Sequence, residues 1–157
     1  MWLKKFADNN TLAQYAGYLC QEKKILYMIT STYIKDILTL LLDGDNEGLA
    51  AKPQLEFIVD AEYQYTGGGL FVSFSYKDGI EAYSIDKKDL ILNGVKIETS
   101  QYPIEADASL FFNDGLISYL EIWCYLGDYP DKDLKQYTLT QIWKDSPGKQ
   151  IKKNGLP

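Results

Sequence analysis

Apolar residues recur at helical spacing along the first third of the chain. Leu12, Tyr15, Ala16 and Leu19 stand at i, i+3, i+4 and i+7, which stacks them on one helix face. Asn9 or Asn10 offers the short side-chain oxygen that caps such a helix. The run from Ile25 to Ile29 fits a strand or a helix equally. The pattern returns after Ser31 or Thr32, where Ile34, Ile37, Leu38 and Leu41 form a second apolar face that Asp43-Gly44-Asp45 ends.

After Pro53 the period falls to two. Leu55, Phe57, Val59, Ala61, Tyr63 and Tyr65 alternate with Gln54, Glu56, Ile58, Asp60, Glu62 and Gln64, and only Ile58 breaks the polar side. That is the pattern of a half-buried antiparallel strand. Thr66-Gly67-Gly68-Gly69 reverses the chain into Leu70, Val72, Phe74 and Tyr76. Turn signals follow at Lys77-Asp78-Gly79, Asn93-Gly94 and Asn113-Asp114-Gly115. The Asn-Gly pair between Leu90-Ile91-Leu92 and Val95-Lys96-Ile97 predicts a tight hairpin. A second hairpin joins Ala108-Leu110-Phe112 to the run from Leu116 to Leu126. A last strand is predicted from Tyr137 to Trp143.

Helices first and strands afterwards predict an α+β fold, with N-terminal helices on one face of an antiparallel meander sheet of six or seven strands. A single domain is expected over residues 1–143. Residues 144–157 contain Lys, Gly and Pro without periodicity and are expected to be a frayed tail.

Composition narrows the chemistry. The 157 residues suit one domain, and 46% hydrophobic content supports a core. No apolar run approaches the ~20 residues that span a bilayer, and the N-terminus lacks a signal-peptide pattern, so a cytoplasmic location without membrane attachment is expected. Cys20 and Cys124 stand far apart, which argues for two buried thiols and against a clustered metal site. The chain has no histidine, and all its basic residues are lysine. It therefore lacks His-based triads, histidine metal clusters and the arginine fork for phosphate or guanine. A net charge of −6 disfavours nucleic acid and favours a basic protein partner.

Several motifs lose their chemistry on inspection. Asp43-x-Asp45-x-Glu47-Gly48 resembles half of a calcium loop, but Gln54 stands where a bidentate Glu is required. Thr66-Gly67-Gly68-Gly69 precedes a strand, whereas a phosphate loop opens a helix. Asp60 with Glu62, and Asp131 with Asp133, lie side by side and do not face one another across a cleft. No cofactor, metal or catalytic residue is expected.

The stretch from Leu116 to Asp133 carries bulk on both faces. Leu116, Leu120, Ile122 and Leu126 share one side; Tyr119, Glu121, Trp123 and Tyr125 share the other. This fits a strand buried on both faces with Glu121 hydrogen-bonded. It also fits an aromatic-acidic binding surface, since Tyr and Trp are enriched as interface anchors. The partner is expected at Glu121, Trp123 and Tyr125 together with Asp128, Tyr129, Asp131 and Asp133 of the following loop. Glu56, Asp60 and Glu62 are the alternative, as the wet side of the first strand.

The run from Ala106 to Glu121, with Tyr125 and Asp128-Tyr129-Pro130 after it, resembles a hairpin of small bacterial immunity proteins from contact-dependent growth inhibition and other polymorphic toxin systems. The resemblance spans residues 106 to 130. It implies a non-enzymatic cytoplasmic protein that blocks the toxic C-terminal domain of an effector, often a nuclease. It assigns no residue to toxin contact. A general cytoplasmic adaptor or small-ligand-binding module is the alternative.

Overall fold

The computed structural model describes residues 29–155. The helix predicted after Asn9 or Asn10, Cys20 and the run before Ile29 lie outside the described residues.

Helix α1 (Thr32–Leu41) starts where its cap places it, with the Ser31 hydroxyl accepting the Ile34 amide at 3.1 Å. Its predicted apolar face is the buried one, and Tyr33 and Leu40 extend it. Asp45 caps a short helix, α2 (Asn46–Ala51), by accepting the Gly48 amide at 2.7 Å. Asp43 pairs with Lys52 and Lys149, and Glu47 pairs with Lys87. The acids of the calcium-like run are thus engaged in a cap and in ion pairs.

The first strand begins later than alternation predicted. Leu55 lies in a 3-10 turn, Lys52–Glu56, because the fixed φ and missing amide hydrogen of Pro53 suit a first helical turn. The strands are then β1 (Ile58–Tyr65), β2 (Gly69–Tyr76), β3 (Ile91–Glu98), β4 (Glu105–Asn113), β5 (Leu116–Leu126), β6 (Tyr137–Gln141) and β7 (Gln150–Lys153). They form one antiparallel sheet in the order β1-β2-β5-β4-β3-β6-β7. This is the expected α+β architecture of seven strands. Its centre is the meander β3–β4–β5, lengthened by the hairpin β1–β2 along β5 and by β6–β7 along β3. Helix α1 packs on one face against β3, β4 and β6. Leu70, Val72, Val95, Ile97, Ala106, Ala108, Leu110, Leu120, Ile122 and Leu139 meet it as the core.

Extra residues in the ladders re-aim side chains and correct three sequence expectations. In β1, Asp60 opposes Phe74 while Glu62 opposes Ser73, so Ala61 is bulged. Ile58 and Asp60 therefore face inward, and after the bulge Tyr63 and Tyr65 do so. The Ile58 that broke the alternation was the mark of this change of phase, and Asp60 and Glu62 end on opposite faces. In β3, Asn93-Gly94 makes no hairpin. Gly94 is a bulge inside one continuous strand, with φ +98° and its carbonyl accepting the Ile142 amide at 2.7 Å. A Cβ there would press on Trp143 at 3.1 Å. The β4–β5 turn does form as predicted, with positive φ at both Asp114 and Gly115.

The segment expected to be a frayed tail contributes β7, which pairs with β6. Buried Gln141 anchors it. Its side-chain oxygen accepts the Lys149 amide at 3.0 Å and its nitrogen donates to the Leu40 carbonyl at 2.8 Å. A four-residue edge strand rich in lysine has too few positions to show alternation. Buried Gln54 plays a similar part at the start of β5. Its nitrogen donates to the Tyr83 and Gly115 carbonyls, and its oxygen accepts the Ile117 amide at 2.8 Å.

Candidate partner-binding surface

Alternation along β4 and β5 sends alternate side chains to the face that α1 does not cover. From β5 these are Tyr119, Glu121, Trp123 and Tyr125; across the ladder stand Phe111, Ser109, Asp107 and Glu105. β5 is thus buried on one face only. Trp123 is 61% exposed, Tyr125 49% and, from neighbouring β3, Ile91 51%. Phe111 and Tyr119 stack at 4.4 Å with nearly parallel rings, which holds one end of the stripe flat. Strict alternation predicts that Leu126 shares a face with Leu116, Leu120 and Ile122. Tyr125 is instead a bulge residue, so Leu126 opposes Glu105 and is 55% exposed. A second bulge at Ser118 puts Ile117 rather than Leu116 into the core.

Four carboxylates border these apolar groups: Glu98, Glu105, Asp107 and Glu121. Lys96 is the lysine among them, with its Nζ 3.0 Å from Glu98 and 3.9 Å from Glu105. The Tyr125 hydroxyl donates to Glu105 at 3.4 Å. The Glu121 carboxylate has no hydrogen bond or ion pair among the described residues. Asp107 Oδ1 is shut off from solvent and has no hydrogen-bond partner among the described residues. Burial pushes the Asp107 carboxyl above its ordinary value; Lys96 pulls it down and Glu105 pushes it up.

The predicted set divides between the two sides of the sheet. Glu121, Trp123 and Tyr125 are on the open face, and Asp128 is exposed just beyond the end of β5. Tyr129 is not a surface anchor. It is 4% exposed, its hydroxyl lies 2.9 Å from that of Tyr33, and its amide donates to the Gly67 carbonyl at 2.7 Å. The loop is thereby drawn under the β1–β2 turn toward the helix side. Asp131 and Asp133 follow it there and line a cleft of about 1000 Å³ with Tyr33, Tyr63, Tyr65 and Tyr137.

The cleft is phenolic. Tyr33, Tyr63, Tyr65 and Tyr137 all have raised pKa values, with burial as the leading cause and hydrogen bonds or nearby aspartates adding to it. These hydroxyls stay protonated at neutral pH, which leaves them as hydrogen-bond donors rather than bases. Asp60 borders the cleft and is fully engaged. It accepts from the Thr30 hydroxyl at 2.7 Å, the Thr30 amide at 3.1 Å and the Tyr63 hydroxyl at 2.9 Å. Burial raises its pKa, and these hydrogen bonds outweigh that, leaving it lowered. Lys132, Lys135 and Lys153 also line the cleft, so its charge is mixed.

Asp107, Glu105, Lys96 and Ile91 did not stand out in the sequence. The alternation of Glu105 and Asp107 in β4 is visible there, but the register that sets Asp107 opposite Trp123 and Lys96 is not. The described residues hold no group of three potential metal ligands, and no described helix is long and apolar enough to cross a membrane. Cys124 is a buried free thiol. No protein family, curated protein or solved structure matches the chain.

Proposed function

We propose that this chain is an immunity protein that binds and neutralises a cognate toxin domain, a nuclease, by tight non-catalytic complex formation in the cytoplasm. The observation that carries this reading is the open sheet face, where exposed Trp123, Tyr125, Leu126 and Ile91 stand among Glu98, Glu105, Asp107 and Glu121. Exposed aromatics ringed by carboxylates suit a protein partner with a basic surface, and nuclease active-site regions are basic. The hairpin that resembles immunity proteins, residues 106 to 130, is the one that builds this face. The absence of histidine and arginine supports inhibition by occupancy rather than turnover. The test is a nuclease assay with the toxin domain encoded beside this gene. Equimolar protein should abolish cleavage, with Trp123→Ala weakening inhibition. Cleavage unaffected by a large excess would overturn the reading for that toxin.

A second reading, a small-ligand-binding module, is favoured by the tyrosine-lined cleft of about 1000 Å³. It predicts a ligand-dependent thermal shift that Tyr65→Ala removes and Trp123→Ala does not. The opposite pattern eliminates it.

A further inference from the structure

The open face carries an acceptor without a donor among the described residues. In successive strands Trp123, Asp107 and Lys96 lie directly abreast, and Tyr125 reaches over to Glu105. The ammonium of Lys96 pairs with Glu98 at 3.0 Å and reaches Glu105 at 3.9 Å, while Asp107 stands opposite Lys96 in the ladder. That ammonium is hydrogen-bonded to Glu98, and Asp107 Oδ1 has no hydrogen-bond partner among the described residues. A carboxylate oxygen with neither water nor a donor is costly, and the sheet frame holds it there.

We propose that this position receives a lysine or arginine side chain of the partner, seated between Trp123 and Tyr125 on the carboxylates of Asp107 and Glu105. Lys96 is the internal occupant that the incoming cation displaces. The inference rests on the open face being the docking surface and deepens that reading by naming what is recognised. A cation satisfies both features of the position: a surplus of acceptors, and two aromatic rings whose faces attract positive charge. An arginine does so best, because its planar fork donates to two oxygens while stacking on a ring. An anion would meet uncompensated carboxylates, and an apolar group would leave Asp107 unsatisfied. Lys96 can yield without being stranded, since its closest pair is with Glu98, at 3.0 Å on the rim away from Trp123. It therefore acts as an intramolecular competitor and weakens binding in the wild-type chain.

The experiment titrates the full-length chain with a tri-arginine peptide, and with a tri-glutamate peptide as control. It follows the Trp123 indole N–H by nuclear magnetic resonance, assigned through Trp123→Phe. Arginine peptide should shift the Trp123 signal and the glutamate peptide should not. Asp107→Asn should weaken binding about tenfold. Lys96→Met should tighten it several-fold, which no purely structural role for Lys96 would produce. Unchanged affinity in Asp107→Asn, or no gain in Lys96→Met, overturns the proposal. If either variant loses its native spectrum, Glu105→Gln is read in its place and must weaken binding. The two readings separate cleanly. Arginine binding without inhibition of any toxin removes the toxin and keeps this position. Undiminished toxin inhibition by Asp107→Asn does the reverse.

Discussion

Two aspartates on opposite faces of one sheet have opposite fates. Asp60, on the helix side, accepts three hydrogen bonds and is held below its ordinary pKa. Asp107, on the open side, has an oxygen shut off from solvent and without a partner among the described residues, and is held above it. Asp60 is served by its own neighbours, whereas one oxygen of Asp107 is served by none among the described residues. Leaving that oxygen unserved costs the fold stability on the sheet face that α1 does not cover.

The strongest challenge to that comparison is to empty the inner face. Leu110→Ala removes a fully buried side chain beneath α1 and should cost roughly 2–5 kcal/mol in urea unfolding. Next is Asp60→Asn, which keeps the shape but weakens charge-assisted bonds. The site is largely solvated, so a loss of about 1 kcal/mol is expected. The pH dependence has a definite sign. Because the folded pKa of Asp60 is depressed, its contribution is present above the unfolded value of 3.8 and disappears as pH falls through the lower folded value. Asp60→Asn should therefore flatten the acid limb of the stability curve.

Asp107→Asn should do the opposite. Its raised folded pKa makes the ionised form unfavourable to folding. That penalty is full above the folded pKa and fades as pH falls toward the unfolded value. The variant should be as stable as wild type at neutral pH or more stable by up to about 1 kcal/mol, read from the thermal midpoint. A clear loss of stability would break the comparison. The smallest effect on folding is expected from Trp123→Ala, within about 0.5 kcal/mol, because its ring packs against little.

How much of this was legible follows from how local each signal is. Helix α1 could be read because its period and its Ser31 cap lie within a dozen consecutive residues. The outer stripe of β5 could be read because alternation is strictly local. Asn93-Gly94 was misread because the pair supplies positive φ for a turn or for a bulge alike. The choice depends on Ile142, just after β6, whose amide donates to the Gly94 carbonyl from the far side. Tyr129 was misplaced for the same reason, since its burial depends on Tyr33 and Gly67, both distant in sequence. The cleft draws its walls from segments around residues 30, 65, 101, 133 and 153, and no window along the chain contains them together.

The strand order also sets a timetable. β3 pairs with its successor β4 and β4 with its successor β5, and the β4–β5 turn is closed by only Asp114 and Gly115, so this meander can assemble at small loop-closure cost. β2 must wait for β5, which arrives more than forty residues later, and β6 must return to β3 across the whole β4–β5 hairpin. Refolding is therefore expected to nucleate in the meander, with the outer hairpins docking last. Destabilising changes at inward positions of β4 and β5 should slow refolding, whereas changes in β1 or β7 should mainly hasten unfolding. The hairpin that displays the aromatic stripe would then be the first part of the chain to take shape, and the strands at the two edges the first to let go.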